Sequence, residues 1–302
     1  MDHFKQLSTF ALVAGKGSLS AAAREEGVAP AVISRRLDAL EERLGVKLLR
    51  RTTRTLSLTH EGSAFLEDCQ RILNDLANAE ASVSLGGVKA SGHLRITAPG
   101  GFGRAHVAPL VLEFVREHPE VTVSLDLSDR VVDLLNENMD CAVRIGVLQD
   151  SSLIGVKLAD NQRLVVATPR YLQRHGTPAH PEDLLRHNCL NLATAGAPSG
   201  WQFVVNGQTS SFRVGGTMAC NDGSSILDWV LDHAGLAWRS LWEVQAHIHA
   251  GRLVTVLDDF MAPPTAIYAV FPQRKHLPLR VRLWVDFLKE RYSRPDYWGT
   301  AP

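Results

Sequence analysis

The chain has 302 residues, of which 45% are hydrophobic and 21% charged, with basic and acidic side chains balanced at 32 each. This length points to about two or three folding units, and the composition excludes a disordered chain, a collagen-like repeat and a disulfide-dense scaffold. No stretch reaches the roughly 18 uninterrupted apolar residues of a membrane span, the opening Met1-Asp2-His3-Phe4-Lys5 lacks a basic-then-apolar secretory profile, and Cys69, Cys141, Cys189 and Cys220 form no C-x-x-C pair, so we expect a cytoplasmic protein with isolated buried thiols.

The neutral total conceals a polarity. Residues 1–60 hold ten basic and six acidic side chains, and the remainder is acidic by the same margin. Between Arg35 and Arg54 seven basic residues face three acids. Such an excess suits a polyanion, although a solvated helix face gives the same pattern.

In chain order, Phe4, Leu7, Phe10, Ala11 and Ala14 recur at helical spacing until Gly15-Lys16-Gly17. Ser18 is a suitable N-cap for a short second helix, kept slim by Ala21-Ala22-Ala23 and closed by Gly27. Pro30 then suits the first position of a third helix, where its missing N–H costs nothing. Ile33, Leu37, Leu40 and Leu44 form one apolar stripe on that helix and leave Ala31, Ser34, Arg35 and Asp38 facing outward. Short side chains at the start of the helix, followed by guanidinium groups, are what a helix entering the major groove of DNA requires. Two short strands at 46–50 and 55–58 flank Arg51-Thr52-Thr53-Arg54, a hairpin whose cationic tip can follow a phosphate backbone.

These residues carry a resemblance. Gly17-Ser18-Leu19-Ser20-Ala21-Ala22-Ala23, Ile33-Ser34-Arg35-Arg36-Leu37, Leu40-Glu41-Glu42-Arg43-Leu44-Gly45-Val46-Lys47-Leu48, Arg51-Thr52-Thr53-Arg54 and Leu58-Thr59-His60-Glu61-Gly62 together resemble the winged helix-turn-helix of LysR-type transcriptional regulators. The resemblance implies contacts near base edges from Pro30, Ala31, Ser34 and Arg35, with Arg36, Arg51 and Arg54 on phosphate or sugar and Ser18 and Thr52 also among the DNA-binding residues. Two positions depart from the family pattern. Ala29-Pro30 stands where many members carry a Ser or Thr cap followed by Gln, which removes a common polar base contact. Glu26 stands where Leu is usual, so a partly exposed end to the second helix is expected.

A Pro- and Gly-free segment follows Gly62, and Leu66, Cys69, Leu73 and Leu76 keep coiled-coil spacing for two heptads. Packing against the chain's own core explains that stripe as well as a seam does; the resemblance implies a dimerising linker helix. Gly86-Gly87 and Ala90-Ser91-Gly92 make a hinge. The division expected is a DNA-binding domain at 1–60, linker helix and hinge at 61–91, and an effector-binding domain at 92–302.

From His93 onward short apolar runs alternate with amphipathic segments: strand 94–96, helix 107–116, strand 121–127, helix 131–136 and strand 141–145. Further strands fall at 164–167, 217–220, 253–257 and 267–271, with helices at 224–233 and 279–292. This is an α/β pattern. The fold class expected is therefore α + α/β. Crossing of the chain between two lobes comes only from the resemblance, which implies a periplasmic-binding-protein-like effector domain. Its first lobe would be 92–163 with 266–302 and its second 164–265.

Ala98-Pro99-Gly100-Gly101-Phe102-Gly103 lies between a strand and a helix, where glycines permit close backbone approach to an anion; a plain connecting loop has the same sequence. By the resemblance Pro99, Gly100, Gly101, Phe102, Asp129, Gly146, Trp201, Asn221 and Arg239 border an effector cleft. Trp201 serves equally as a core or lid residue. Arg239, a cation in an apolar stretch, either pairs with an internal carboxylate or meets an anionic effector.

The sequence contains no G-x-S-x-G elbow, no H-E-x-x-H, no phosphate loop and no dinucleotide fingerprint. His247-x-His249, read on a strand, lacks further ligands. No metal or cofactor is expected, and no catalysis. The expected partners are a two-fold-related duplex DNA operator, a small-molecule effector such as a carboxylate, a second or further copies of the chain in a homodimer or homotetramer, and RNA polymerase if the protein activates. The rival reading is a solute-binding protein or small-molecule enzyme with an accessory N-terminal domain.

Overall fold

The computed structural model describes residues 2–51, 56–83, 89–130, 132–146, 153–193, 200–273 and 277–298. Two compact units result, Met1–Val88 and Lys89–Pro302.

In the first unit α1 (His3–Lys16), α2 (Leu19–Glu26) and α3 (Pro30–Leu44) each end on a glycine in the left-handed region, Gly17, Gly27 and Gly45. Asp2 caps α1 through the Phe4 N–H, and Ser18 caps α2 through the Ala21 N–H at 3.3 Å. Ala29, which has no side chain to offer, leaves α3 without a side-chain cap, and Pro30 takes the first turn. Phe10, Val13, Ala22, Ala23, Ile33, Leu37, Leu40 and Cys69 are fully buried or nearly so in one core. Each buried Leu or Ile contributes about 1.5–3 kcal/mol.

Strands β1 (Leu49–Arg51) and β2 (Leu56–Leu58) pair antiparallel, with Arg51 opposite Leu56. β1 starts later than periodicity suggests because Lys47 and Leu48 are otherwise engaged. The Thr59 hydroxyl donates to the Lys47 carbonyl, and the Thr59 N–H to the Leu48 carbonyl. Thr59 also opens α4 (His60–Val83), its hydroxyl accepting from the Gly62 N–H at 2.9 Å. A Cβ on Gly62 would lie 2.0 Å from the Leu48 carbonyl oxygen, so only glycine lets α4 approach β1. Phe65, Leu66 and Cys69 pack α4 onto its own domain, with Phe65 and Phe10 ring centres 5.7 Å apart. The first half of the expected seam is thus core.

The second unit is built on two sheets. The larger has the order β4-β3-β5-β14-β6, comprising β3 (Gly92–Ala98), β4 (Val121–Leu127), β5 (Cys141–Ile145), β6 (Leu153–Asn161) and β14 (Thr265–Pro272). β3 runs parallel to β4 and β5, while β14 runs antiparallel to β5 and β6. Between β3 and β4 the chain makes α5 (Gly100–Phe102), a π turn and α6 (Ala108–Glu117). α6 packs with the later α10 (Leu279–Tyr292) over a core containing Leu94, Ile96, Phe114, Trp284 and Leu288.

The smaller sheet is β12-β7-β13, formed by β7 (Arg163–Ala167), β12 (Ala237–Ser240) and β13 (Val254–Val256). Alternation along β7 divides its side chains between two clusters. Val165 and Ala167 join Tyr171, Trp201 and Phe203; Leu164 and Val166 join Ile226, Val230 and Val244. The first cluster involves α7 (Pro169–His175) and the hairpin β9 (Trp201–Val205) and β10 (Gln208–Phe212). The second involves α8 (Gly223–Leu231) and α9 (Leu241–His249). Short β8 (Asn191–Leu192) and β11 (Ala219–Cys220) pair parallel, and α11 (Pro295–Trp298) follows α10. The main chain passes between the sheets at Gln162 and again at 262–264, and the Gln162 amide ties the passages by donating to the Ala262 carbonyl at 3.2 Å.

Two local expectations fail. Residues 132–138 contain a turn and no helix: the Asp133 carboxylate accepts from the Leu135 and Asn136 N–H groups, and Asn138 takes a φ of 53°. Local side-chain bonds of this kind compete with helix formation. His247 and His249 lie in the last turn of α9, not on a strand, where residues two apart do not share a face. No group of metal-ligating side chains occurs among the described residues, and no described helix is long and apolar enough to cross a membrane.

Candidate functional site

In the N-terminal unit the start of α3 is on the surface. Pro30, Ala31 and Arg35 are exposed and Ser34 is half-buried, its hydroxyl 3.4 Å from an Asp38 carboxylate oxygen. Arg36 has a different task from the one expected. Its Nη1 donates to Glu26 at 2.5 Å and to the Thr9 hydroxyl at 3.3 Å. Lys5 joins at 3.1 Å. Glu26 is accordingly 8% exposed at its side chain, while Arg24, Glu25 and Gly27 around it are exposed, so the end of α2 is partly exposed as expected but the Glu26 carboxylate is not. Burial pushes its carboxyl up, but the bonds from Lys5, Arg36 and Thr9 outweigh burial and hold it below the ordinary range. Acid and base thus compensate each other across α2 and α3, and Nη1 of Arg36 is engaged within the domain. Ser18 likewise spends its hydroxyl on the α2 cap. Thr52 and Arg54 lie outside the described residues, and only the backbone of Arg51 is described.

Glu41, which the sequence reading counted only as a charge, organises the approach to β1. It is 4% exposed and accepts from the Leu48 and Leu49 N–H groups at 2.9 and 3.1 Å and from Lys47 Nζ at 2.7 Å. Its carboxyl, pushed up by burial and down more strongly by these three bonds, sits below its ordinary value. The signal was available: position 41 lies beside Leu37, Leu40 and Leu44 on the core-facing stripe, where an acid needs partners.

In the C-terminal unit the loop glycines meet the second sheet's helix. The Gly100 N–H donates to Asp129 Oδ1 at 2.8 Å and the Gly223 N–H, first in α8, donates to Asp129 Oδ2 at 3.2 Å. One internal carboxylate therefore satisfies the leading N–H of two helices, in the position that suits an anion. A Cβ on Gly101 would stand 3.5 Å from the Ser224 hydroxyl. Asp222 caps α8, accepting from Ser225 N at 2.9 Å and its hydroxyl at 2.7 Å, and these bonds hold its carboxyl low. Asn221 is exposed beside it. Gly146 ends β5 at a φ of 111° with open space where a Cβ would be. Pro99 is half-buried and its carbonyl accepts from the Gly103 N–H.

Three other expected cleft residues are engaged elsewhere. Phe102 is 1% exposed and packs against Trp242, with ring centres 5.2 Å apart and planes at 78°. It also packs against His106, whose imidazole burial pushes down to about 4. Trp201 is 5% exposed in the core beneath β7, its indole N–H donating to Asn191. Arg239 forms a two-pronged bond to Glu243, at 2.8 Å from Nε and 2.7 Å from Nη2, the internal pair that its apolar setting allowed. A Cβ on Gly223 would lie 2.4 Å from Arg239 Nη2, so this pair also fixes how α8 begins.

Comparison with known proteins agrees with both halves. Residues 4–63 match the family described as bacterial regulatory helix-turn-helix protein, lysR family, and residues 88–293 match the LysR substrate binding domain. The chain is 38% identical over 288 residues to the HTH-type transcriptional regulator DmlR of Escherichia coli K12, covering 95% of this chain and 94% of that one. It is 33% identical over 297 residues to the HTH-type transcriptional activator TtdR of the same strain, covering 97% and 96%. Among solved structures it is similar to CrgA, a LysR-type transcriptional regulator from Neisseria meningitidis, with a TM-score of 0.61 and 32% identity over 96% of this chain and 99% of that one. It is also similar to the Vibrio cholerae virulence activator AphB, with a TM-score of 0.59 and 29% identity over 96% and 100%. With a helix-turn-helix whose leading turn is exposed, a following α/β unit and family matches over both, the chain belongs to the LysR family of transcriptional regulators.

Proposed function

We propose that the protein regulates transcription in the cytoplasm as a homo-oligomer. It docks α3 in the major groove of a two-fold-related operator and changes its DNA-bound arrangement when a small organic acid occupies the effector unit. The observation that carries this reading is the exposed first turn of α3, with Pro30, Ala31, Ser34 and Arg35 on the surface behind a buried Ile33–Leu37–Leu40 stripe. Arg51, Thr52 and Arg54 follow by sequence position as phosphate contacts from the β1–β2 hairpin. α4 carries the second copy beyond its Cys69 anchor, and two heads double the phosphate contacts. RNA polymerase is a partner if the protein activates. The domain limits are those of the sequence reading.

The effector lies where the Gly100 and Gly223 N–H groups meet Asp129, with Gly101 and Asn221 next to them in the chain, and an acid bound there competes with the Asp129 carboxylate for those two N–H groups. Binding energy that differs between two lobe arrangements is what shifts their populations. The relatives with regulator names support a regulator over an enzyme.

Gel-shift titrations test the DNA half, using the region upstream of the gene against scrambled DNA over a salt series. Sequence-dependent binding is expected, with Arg35→Ala weakening it and Arg54→Ala flattening the salt dependence. Equal affinity for both DNAs refutes it. A thermal-shift screen of small acids tests the effector half, because a ligand of the folded state raises its apparent stability.

A further inference from the structure

A cavity of about 210 Å³ lies where the two chain passages meet the β9–β10 hairpin, lined by Asn161, Arg163, Gln202, Thr209, Trp238, Ala262, Pro263 and Thr265. It involves none of the residues at the Asp129 contact. Arg163 opens β7 and its guanidinium carbon stands 4.7 Å from the centre of the Trp238 ring. A cation–π contact of this kind consumes no N–H donor, so the guanidinium keeps its hydrogen-bonding capacity. Among the described residues no carboxylate pairs with it and no acceptor bonds to it: the neighbouring Glu243 is committed to Arg239. Burial, with Arg239 adding like charge, pulls the Arg163 guanidinium down to about 10, which leaves it fully charged at neutral pH.

A second group lacks a partner. Asn161, 2% exposed, donates to the Thr265 hydroxyl at 3.3 Å, and its Oδ1 is buried with nothing bonded to it. Turning the amide over exchanges which atom is stranded without removing the deficit. A half-buried cation with no carboxylate partner costs free energy unless an anion or water reaches it, and Arg163 lines this cavity beside Asn161. Trp238, Ala262 and Pro263 supply its apolar walls.

We propose that this cavity is a second ligand site, in which the Arg163 guanidinium takes the carboxylate of a small acid with a ring-sized apolar body. Size agrees with the class, since a dry apolar cavity of about 150 Å³ admits a benzene ring, and the larger volume leaves room for the carboxylate. Thr209 and Pro263 are exposed at its rim and give the acid a way in. Because Asn161 and Arg163 flank one passage and Ala262, Pro263 and Thr265 lie on the other, an acid seated there braces both strands that join the sheets. The site does not depend on an effector at Asp129.

The test is calorimetric titration of the full-length chain with benzoate, and with benzamide as the uncharged match. Benzoate is expected to bind and benzamide at least tenfold more weakly. Arg163→Gln is expected to lower benzoate affinity at least tenfold, while Asp129→Asn leaves it within twofold. Thr209→Trp, which fills the rim and keeps the cation, decides the matter if Arg163→Gln fails to fold, and it too is expected to abolish binding. No benzoate binding by the wild-type chain overturns the proposal. So does benzoate affinity unchanged in Thr209→Trp or in a folded Arg163→Gln. A change of more than twofold in Asp129→Asn alone, a gain being the direction expected once the competing charge is gone, places the acid at the effector contact instead, which also overturns the second site while leaving the effector reading intact.

Discussion

Glu41 offers the sharpest perturbation of the DNA-binding unit, because its carboxylate joins the end of α3 to the start of the β1–β2 hairpin. Glu41→Ala strands the Leu48 and Leu49 N–H groups, both of buried residues. At about 1–3 kcal/mol for each orphaned donor the loss is about 2–6 kcal/mol. Lys47 adds little to this, since its side chain is 74% exposed and an exposed pair contributes about 0–1 kcal/mol. Glu41→Gln keeps an acceptor oxygen but exchanges charged for neutral hydrogen bonds, a loss of about 1–2 kcal/mol. Hydrogen exchange on peptides spanning 46–50 of the full-length chain reads the effect locally, with Ala fastest, Gln intermediate and wild type slowest.

The acid limb gives an independent check. The folded carboxyl lies below the ordinary 4.5, so its contribution is complete above that value and is lost as pH falls through the lower folded value. The gap between wild type and Glu41→Gln should therefore hold steady down to about pH 5 and close below it. Equal exchange at 46–50 in wild type and Glu41→Ala, or a gap that widens in acid, refutes the reasoning.

Arg239→Ala leaves Glu243, 8% exposed, as an unpaired buried charge, and calorimetric unfolding should show a loss of about 3–5 kcal/mol from the C-terminal unit. A loss under about 1 kcal/mol would mean that water reaches the pair. Gly62→Ala drives a Cβ into the Leu48 carbonyl, so thermal stability and operator affinity should fall together; a neutral result would show that α4 can retreat from β1. Asp129→Ala removes the shared acceptor of the Gly100 and Gly223 amides, and both should exchange faster while peptides of residues 3–45 stay unchanged. Acceleration at one amide alone would show that the bridge does not couple them.

The elements readable from sequence are those whose limits are written locally. Ser18, Gly27, Pro30 and Gly45 mark the ends of α2 and α3 by capping chemistry that needs no tertiary partner. β6 escaped because its pairing partner β14 lies about a hundred residues on, and only that pairing makes Leu153–Asn161 a strand. Residues 131–136 show the opposite failure: their helical spacing is real, but Asp133 offers the backbone nearer partners. The β9–β10 hairpin had no such obstacle, since Asn206-Gly207 between two strand-forming runs is itself a hairpin signal.

Charged site residues are harder to assign because sequence gives their sign and not their partner. Glu26 in place of an apolar residue predicts exposure only if no cation reaches it, and Arg36, ten positions later, does. The same rule sorts the C-terminal unit. Arg239 is silenced by Glu243, and the two helix starts at Gly100 and Gly223 are already satisfied by Asp129, so an anion arriving there gains only the difference between its own bonds and those it displaces. Arg163 has no such competitor among the described residues, and an acid reaching it gains the whole interaction less the cost of its own desolvation. An anion should therefore bind at the hinge with more net free energy than at the Asp129 bridge, although the bridge is where family position directs attention. The order of affinities of the two places for one acid follows from which carboxylates the chain has already spent.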